Sequence, residues 1–352
     1  MALVPESVAR LVKAGHVVTV QQGAGEASSA SDAEYAAAGA TLAADFAATV
    51  AGAEITCKVQ PPSTDEAAAL PAGAALLCYL APTGREAIVA ALAARGVQGL
   101  ALELVPRITR AQSMDVLSSQ ATVAGYRAVL RGAAEMPRML PMLTTAAGTI
   151  APAKCFVLGA GVAGLQAIAT ARRLGAVVSG FDVRPAAQEQ IQSLGATVLK
   201  VDLAQSAEGS GGYAKAQSED DAQRTQAAIT AHLAGMDLVI TTAAIPGRRA
   251  PVLISEEAVR GMKPGAVIVD LAAETGGNCA LTRAGEVVRA HGVSIIGAVN
   301  VPSEAPVHAS QMLSRNVLTF LQHVTKDGAL VLDAGDEIVG AMLVTTAPAP
   351  AA

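Results

Sequence analysis

The sequence predicts an α/β protein of two domains, each built on a parallel sheet, with a cleft between them. Three observations predict it. The chain has 352 residues, which suits two domains at about 150 residues each. Helical and strand patterns alternate along it, the mark of parallel α/β architecture. The alternation falls into two series, separated by a long helical stretch that Pro137 and Pro141 break.

In the first series Pro5–Gly15 reads as a helix and His16–Val20 as a strand. Glu54–Gln60 is the next strand, ended by Pro61 and Pro62. Ala74–Leu80 and Gly99–Leu104 follow as strands, with a helix at Arg85–Arg95 between them, and Ser118–Glu135 is the long helix. The second series has strands at Lys154–Leu158, Ala176–Asp182, Ala196–Val201, Asp237–Thr242, Ala266–Ala272 and Val293–Ala298. Ser255 before Glu256 and Glu257 is a helix start, because the hydroxyl caps and the acids suit the positive end. Gly175, Gly195 and Gly292 read as the residues that close helices. Ala204–Gly212 is too poor in apolar residues to pack and reads as a mobile loop, and Thr345–Ala352 as a frayed end. The last long helix, His308–Val324, lies beyond the second series and is expected to pack back on the first domain. The first domain is therefore 1–122 plus 307–352, and the second 123–306.

Composition excludes several function classes. Apolar residues make up 52% and charged residues 16%, which rules out a disordered chain. Aromatics are only 2%, with no Trp, so a stacking surface for single-stranded nucleic acid is not expected. The net charge is −5 with no polybasic block, so neither DNA nor an acidic membrane surface is an expected partner. Ala67–Gly84 is uncharged but holds Pro71, Gly73, Pro82 and Gly84, and reads as a buried strand between turns rather than a span. With no signal peptide at the start, a soluble cytoplasmic chain is expected. Cys57, Cys78, Cys155 and Cys279 form no CxxC and read as buried reduced thiols. His16, His232, His291, His308 and His323 show no metal-ligand spacing, so no metal is expected.

Chemistry concentrates in two places. The first is a strand that runs into Gly159-Ala160-Gly161-Val162-Ala163-Gly164, followed by an apolar helix. Gly159 permits the tight turn, Gly161 lets the backbone approach a pyrophosphate, and Gly164 lets helix and strand pack closely. The helix N-terminus then offers free N–H groups to the anion. Asp182 ends the next strand, 23 residues after Gly159. A carboxylate there accepts from ribose hydroxyls and repels a 2′-phosphate, which points to NAD rather than NADP. Arg184, two residues on, either pairs with a surface acid or lies along the adenosine. The second place is Pro106–Asp115 and the run to Gln120, at the C-terminal end of a strand, where open sheets place ligands. On the residues alone it is equally readable as a solvated loop that caps the next helix.

Five segments carry a wider likeness: RITRAQSMDVLSSQATVAGYRAVL, MLTTAAGTIAPAKCFVLGAGVAGLQAIATARRLGA, SGGYAKA, TTAAIPG and VIVDLAAETGGNC. Together, and in order, they resemble the alanine dehydrogenase/transhydrogenase family, on the branch of the NAD(H)-binding alpha component of proton-translocating NAD(P) transhydrogenase. The resemblance runs from about Pro5 to Thr345. It implies two Rossmann-like domains, and direct hydride transfer between NADH on this chain and NADP+ on a partner chain. It also implies a homodimer held at the cytoplasmic face of the membrane by membrane-spanning and NADP-binding subunits. Residue by residue, it implies that Arg107 and Asp115 hold the carboxamide and order their loop. Gln112 would hold the nicotinamide ribose and set the ring's approach, with Ser118 beside them. Gly161, Val162, Asp182, Val183 and Arg184 would line adenosine and pyrophosphate, Ala244 would add a contact, and Gly212 and Tyr213 would belong to a mobile lid.

Hydride transfer needs orientation but no acid–base group, and no Ser/His/Asp triad or carboxylate pair is evident. The runner-up on the same fold, alanine dehydrogenase, needs an acid/base. Its His would fall at Leu77–Ala81, which reads Leu-Cys-Tyr-Leu-Ala, and its Asp near Glu274, while Lys58 matches its substrate lysine. A third reading is an NAD-binding sensor without transfer. The resemblance further implies an apolar strand ahead of Pro5, paired beside His16–Val20. Without that strand the first sheet is expected to hold an open slot, weakening the domain and inviting self-association.

Overall fold

The strands form where apolar residues run unbroken between turn residues, and the computed structural model describes residues 1–201, 218–244 and 248–345. The chain divides into two units: Met1–Gln120 with Ala305–Ala352, and Ala121–Glu304.

The first unit opens with α1 (Pro5–Lys13), β1 (Thr19–Gln21), α2 (Asp32–Ala37), β2 (Thr41–Ala43) and α3 (Phe46–Val50). It continues with β3 (Ile55–Cys57), α4 (Thr64–Ala69), β4 (Ala75–Cys78), α5 (Glu86–Ala94) and β5 (Gln98–Ala101). Capping boxes start two of these helices. Ser31 and Glu34 exchange side-chain-to-backbone bonds at α2, and Ser63 and Glu66 do so at α4. β4 is buried along its whole length and lies between β3 and β5, all parallel. The first-domain strands do not share one sheet. β1 and β2 pair parallel in a sheet of their own, so that β1 and β3 each end a sheet. The strand expected at His16–Val20 starts later, and Val17 is 92% exposed.

Helix α6 (Val116–Glu135) leads into the second unit. There follow the hairpin β6 (Leu143–Thr145) and β7 (Gly148–Ile150), then β8 (Lys154–Leu158), α7 (Val162–Arg173), β9 (Val177–Phe181), α8 (Pro185–Ser193) and β10 (Thr197–Val198). After them come α9 (Glu219–Leu233), β11 (Leu238–Thr241), α10 (Glu256–Arg260), β12 (Val267–Asp270), β13 (Val287–Ala290) and β14 (Val293–Gly297). Seven strands form one sheet in the order β10-β9-β8-β11-β12-β14-β13, parallel except for β13. The order reverses direction at β8, which places the β8–α7 turn at a topological switch point. Its two faces are covered by separate apolar cores. Val157, Ile168, Ile240 and Val269 belong to one, and Phe156, Ile229, Val239 and Ile268 to the other.

The sequence reading missed the hairpin β6–β7 and strand β13. It also misplaced Gly292, which closes no helix. With His291 it makes the tight β13–β14 turn, both residues at positive φ (53° and 78°).

The chain returns to the first unit as α11 (Pro306–Val324), β15 (Thr325–Lys326), β16 (Ala329–Leu330) and α12 (Glu337–Met342). Leu313, Val317, Phe320 and Leu321 of α11 join Leu77 and Leu100 in one core. Beyond α12, Leu343 bridges to Leu100, and Thr345 Oγ1 accepts from Gly99 N–H (2.8 Å) and donates to the Val97 carbonyl (2.9 Å). Thr345 is thus 4% exposed and seated against β5, not the start of a frayed end. The rest of that tail, and the loop read at Ala204–Gly212, lie outside the described residues. Among the described residues, no helix is long and apolar enough to cross a membrane.

Candidate functional site

The β8–α7 turn is shaped by its glycines. Gly159 sits at φ 92°, where a side chain is strained, and a Cβ on it would meet Thr242 Oγ1 at 2.6 Å. A Cβ on Gly164 would lie 1.8 Å from the Gly159 carbonyl oxygen, so this helix start can press on the strand end only without one. Gly161, the N-cap of α7, faces open space, with nothing within 4 Å of an added Cβ. Val162 beside it is 41% exposed. The first N–H groups of α7 have no partner within the helix, so the turn offers donors and a favourable dipole to an anion. Gly125 of α6 also serves this helix start. A Cβ there would strike the Ala163 carbonyl at 2.1 Å, a constraint that sequence reading missed.

Asp182 follows β9 and reaches back to the turn. Its Oδ2 accepts from Ala160 N–H (2.8 Å), and its Oδ1 from Arg184 N–H (2.9 Å). Burial alone would raise this carboxyl, but hydrogen bonds from Arg184 and Ala160 outweigh it and hold the group below its usual range. Arg184 closes a bidentate pair, Nε to Oδ1 at 2.9 Å and Nη2 to Oδ2 at 2.8 Å. Arg184 therefore pairs with Asp182 itself. Val183 packs partly buried on the core beneath.

A second strand-end acid, Asp270 at the end of β12, is fully buried and takes five donors. They are Thr241 Oγ1 (2.8 Å), Ala272 N–H (3.0 Å), Asn278 N–H (2.7 Å), Cys279 N–H (3.1 Å) and Thr282 Oγ1 (2.7 Å). Asn278 in turn donates to the carbonyls of Ala243 and Pro251, and accepts from Ala243 N–H. This network fixes the backbone after β11, where Ala244 is exposed. Sequence reading did not single out Asp270, although an acid that ends an apolar strand is the signal that found Asp182.

In the first unit, the loop after β5 is clamped from beneath. Ala111 and Met114 enter the core, and Asn316 Nδ2 of α11 holds the Ser113 carbonyl at 2.7 Å. Arg110 reaches Asp336 (3.2 Å) and Glu337 (3.4 Å) at the start of α12. Asp115 accepts from Ser118 N–H (2.9 Å) and Ser118 Oγ (2.6 Å), which caps α6. Arg107 and Gln112 stand on the exposed side. The site residues thus fall in two groups. Arg107, Gln112 and Asp115 share one loop of the first unit, with Ser118 beside them in the first turn of α6. Gly159, Gly161, Val162, Gly164, Asp182, Val183, Arg184 and Ala244 belong to the second. Gly212 and Tyr213 lie outside the described residues.

A family model described as alanine dehydrogenase/PNT, N-terminal domain, matches residues 1–124, and one described as alanine dehydrogenase/PNT, C-terminal domain, matches residues 128–349. The chain belongs to the alanine dehydrogenase/PNT family. Within that family it is similar to an NAD(P) transhydrogenase subunit alpha chain of Rhodospirillum rubrum. The two are 49% identical over 354 residues, covering 98% of this chain and 92% of that protein. Among solved structures it is similar to a transhydrogenase from Sinorhizobium meliloti (TM-score 0.89, 47% identity, 98% of this chain and 94% of that one). It is also similar to an L-alanine dehydrogenase (TM-score 0.83, 26% identity, 98% and 91%). These likenesses give this alanine dehydrogenase/PNT member an oxidoreductase role. Of the groups that the alanine dehydrogenase branch would use, Lys58 is committed to Glu66 at 2.5 Å and sits 4.8 Å from the Phe46 ring centroid, while Glu274 is exposed.

Proposed function

We propose that this chain is the NAD(H)-binding component of a proton-translocating NAD(P) transhydrogenase. It would act as a homodimer held at the cytoplasmic face of the membrane by partner chains, which would carry NADP(H) and the proton pathway. The observation that carries the reading is the pairing of an open glycine turn with a strand-end carboxylate. Gly161 leaves room at a helix N-terminus for a pyrophosphate, and Asp182 stands one residue's reach away as a ribose acceptor. These residues fit a dinucleotide, and the carboxylate disfavours a 2′-phosphate. Identity of 49% to a transhydrogenase alpha chain supports the transhydrogenase branch over alanine dehydrogenase.

When bound, NADH would supply the hydride. The chain's own task is then to orient and to exclude water. Correct positioning alone can lower such a barrier by about 7–11 kcal/mol. The loop is suited to that task. Its underside is fixed by Ala111, Met114, Asn316 and Arg110, and Arg107 and Gln112 are exposed on that held backbone. Asp115 orders the loop through Ser118. The test is to mix the purified chain with NADP-binding partner components and follow reduction of an NAD analogue by NADPH, beside NADH and NADPH titrations of the chain alone. Tight NADH binding with partner-dependent reduction is expected. NADH binding without any reduction would favour a sensor, and equal affinity for NADPH would remove the Asp182 assignment.

A further inference from the structure

The Asp182 carboxylate is saturated from within the chain. A carboxylate offers about four lone-pair positions, and here four donors occupy them. Oδ1 takes Arg184 N–H and Arg184 Nε, and Oδ2 takes Ala160 N–H and Arg184 Nη2. Two of these donors are backbone groups fixed by the glycine turn and by the start of α8. The other two belong to one side chain. A vicinal ribose diol also has two donors. We infer that Arg184 is an internal competitor for the ribose site, filling the two Asp182 positions that a nucleotide's 2′,3′-diol must take, and that it leaves when the nucleotide binds. The inference rests on the proposed NAD(H) reading and adds a specificity device to it.

The chemistry decides what can displace the guanidinium. Asp182 is 7% exposed in its side chain and Arg184 18%, so a carboxylate stripped of two donors is costly unless others replace them. A diol replaces both. A 2′-phosphate brings acceptors only, and it would leave the carboxylate short of donors beside a second anion. The same arginine would suit a 2′-phosphate well if it were not already held. NAD preference is then a property of the pair. Asp182 selects the diol and also withholds a ready phosphate ligand.

The experiment is fluorescence titration of the full chain with NADH and with NADPH, on wild type, Arg184→Met, Asp182→Asn and the double variant, with circular dichroism to check folding. Arg184→Met should bind NADH about tenfold more tightly, since the ribose no longer competes with a charge-assisted pair. Asp182→Asn should bind NADPH more tightly than wild type does, and the double variant should lose that gain. Arg184→Gln, which keeps polarity but not the bidentate charge, should behave like Arg184→Met and replaces it if that variant misfolds. Unchanged or weaker NADH binding by folded Arg184 variants would overturn the inference, as would an NADPH gain that survives in the double variant. Wild type that binds no NADH at all would instead remove the functional reading, and the competitor role with it.

Discussion

At the scale of single residues, Gln112 and His232 separate positioning from stability. Gln112 is exposed on a loop whose neighbours are held, so shortening it by one methylene moves a polar group without disturbing the core. In the proposed function Gln112→Asn should slow single-turnover transfer by about 100-fold, the cost of a misplacement near 1 Å, with NADH affinity little changed. An unchanged single-turnover rate would remove Gln112 from the reaction. His232 is a different case. Its Nε2 meets Ser179 Oγ at 2.8 Å and its ring stands edge-on to Phe156, 4.5 Å between centroids. Burial, and secondarily Lys154, hold it below its ordinary value of 6.5. Such a group binds its proton more readily unfolded than folded. The stability it contributes is therefore complete above pH 6.5 and is lost as pH falls below that value toward the folded pKa. Urea unfolding should show wild type losing more stability than His232→Gln between about pH 7 and about pH 5, with a difference in slope of at most about 1.4 kcal/mol per pH unit. Parallel slopes would mean that His232 titrates alike in both states.

At the scale of elements, the hairpin β6–β7 stands apart from every apolar core described above. All six of its strand residues are exposed, Ile150 (51%) among them, and Met139 (47%) and Met142 (62%) just before it add uncovered apolar surface. Clustered exposure of this kind marks an interaction surface. On the proposed homodimer reading it is the face that a second copy covers. Met142→Lys with Ile150→Lys should lower the sedimentation coefficient to that of a monomer while the far-ultraviolet spectrum stays the same. A dimer that persists would place the interface elsewhere.

The hairpin also shows what the sequence could and could not reveal. Strands buried along their length, such as β11, β12 and β14, were legible because apolar runs bounded by turns leave little choice. The hairpin segments Leu143–Thr145 and Gly148–Ile150 are three residues long and bury no face, so periodicity carries no signal there. β13 alternates exposed and half-buried positions and pairs through a turn at His291 and Gly292, where a glycine alone reads equally as a helix end. In the site, the glycine turn and Asp182 were legible because spacing fixes them. The Arg184 pair and the Asp270 network were not, since each depends on a rotamer or on loops meeting in space.

At the scale of the whole molecule, the residues of the proposed site divide between the two units, and on the proposed function nucleotide fragments should address the units separately. ADP-ribose carries the pyrophosphate and adenosine but no nicotinamide. At 100 times its dissociation constant a ligand bound only to the folded state adds about 2.7 kcal/mol of stability. ADP-ribose should therefore raise the melting temperature through the turn at Gly159–Gly164 and Asp182, and Asp182→Ala should abolish most of that rise. A melting temperature indifferent to ADP-ribose would deny that the second unit binds the nucleotide's adenosine half. The first unit's strand pairing is also informative here. β1 and β3 each end a separate small sheet, where the sequence led one to expect a single sheet.

The first unit is also interrupted in sequence, Met1–Gln120 being completed only by Ala305–Ala352. Synthesis runs from the N-terminus at about 5–20 residues per second, so α11 leaves the ribosome only after the whole second unit. Until then Leu77 and Leu100 lack Leu313, Val317 and Phe320, their partners in the finished core. The second unit, contiguous in sequence, can close first. The nascent chain can therefore carry a folded central body, Ala121–Glu304, beside a still unfinished first unit, an inversion of the usual vectorial order. Its early half therefore keeps Leu77 and Leu100 without their α11 partners until the last part of the chain is made.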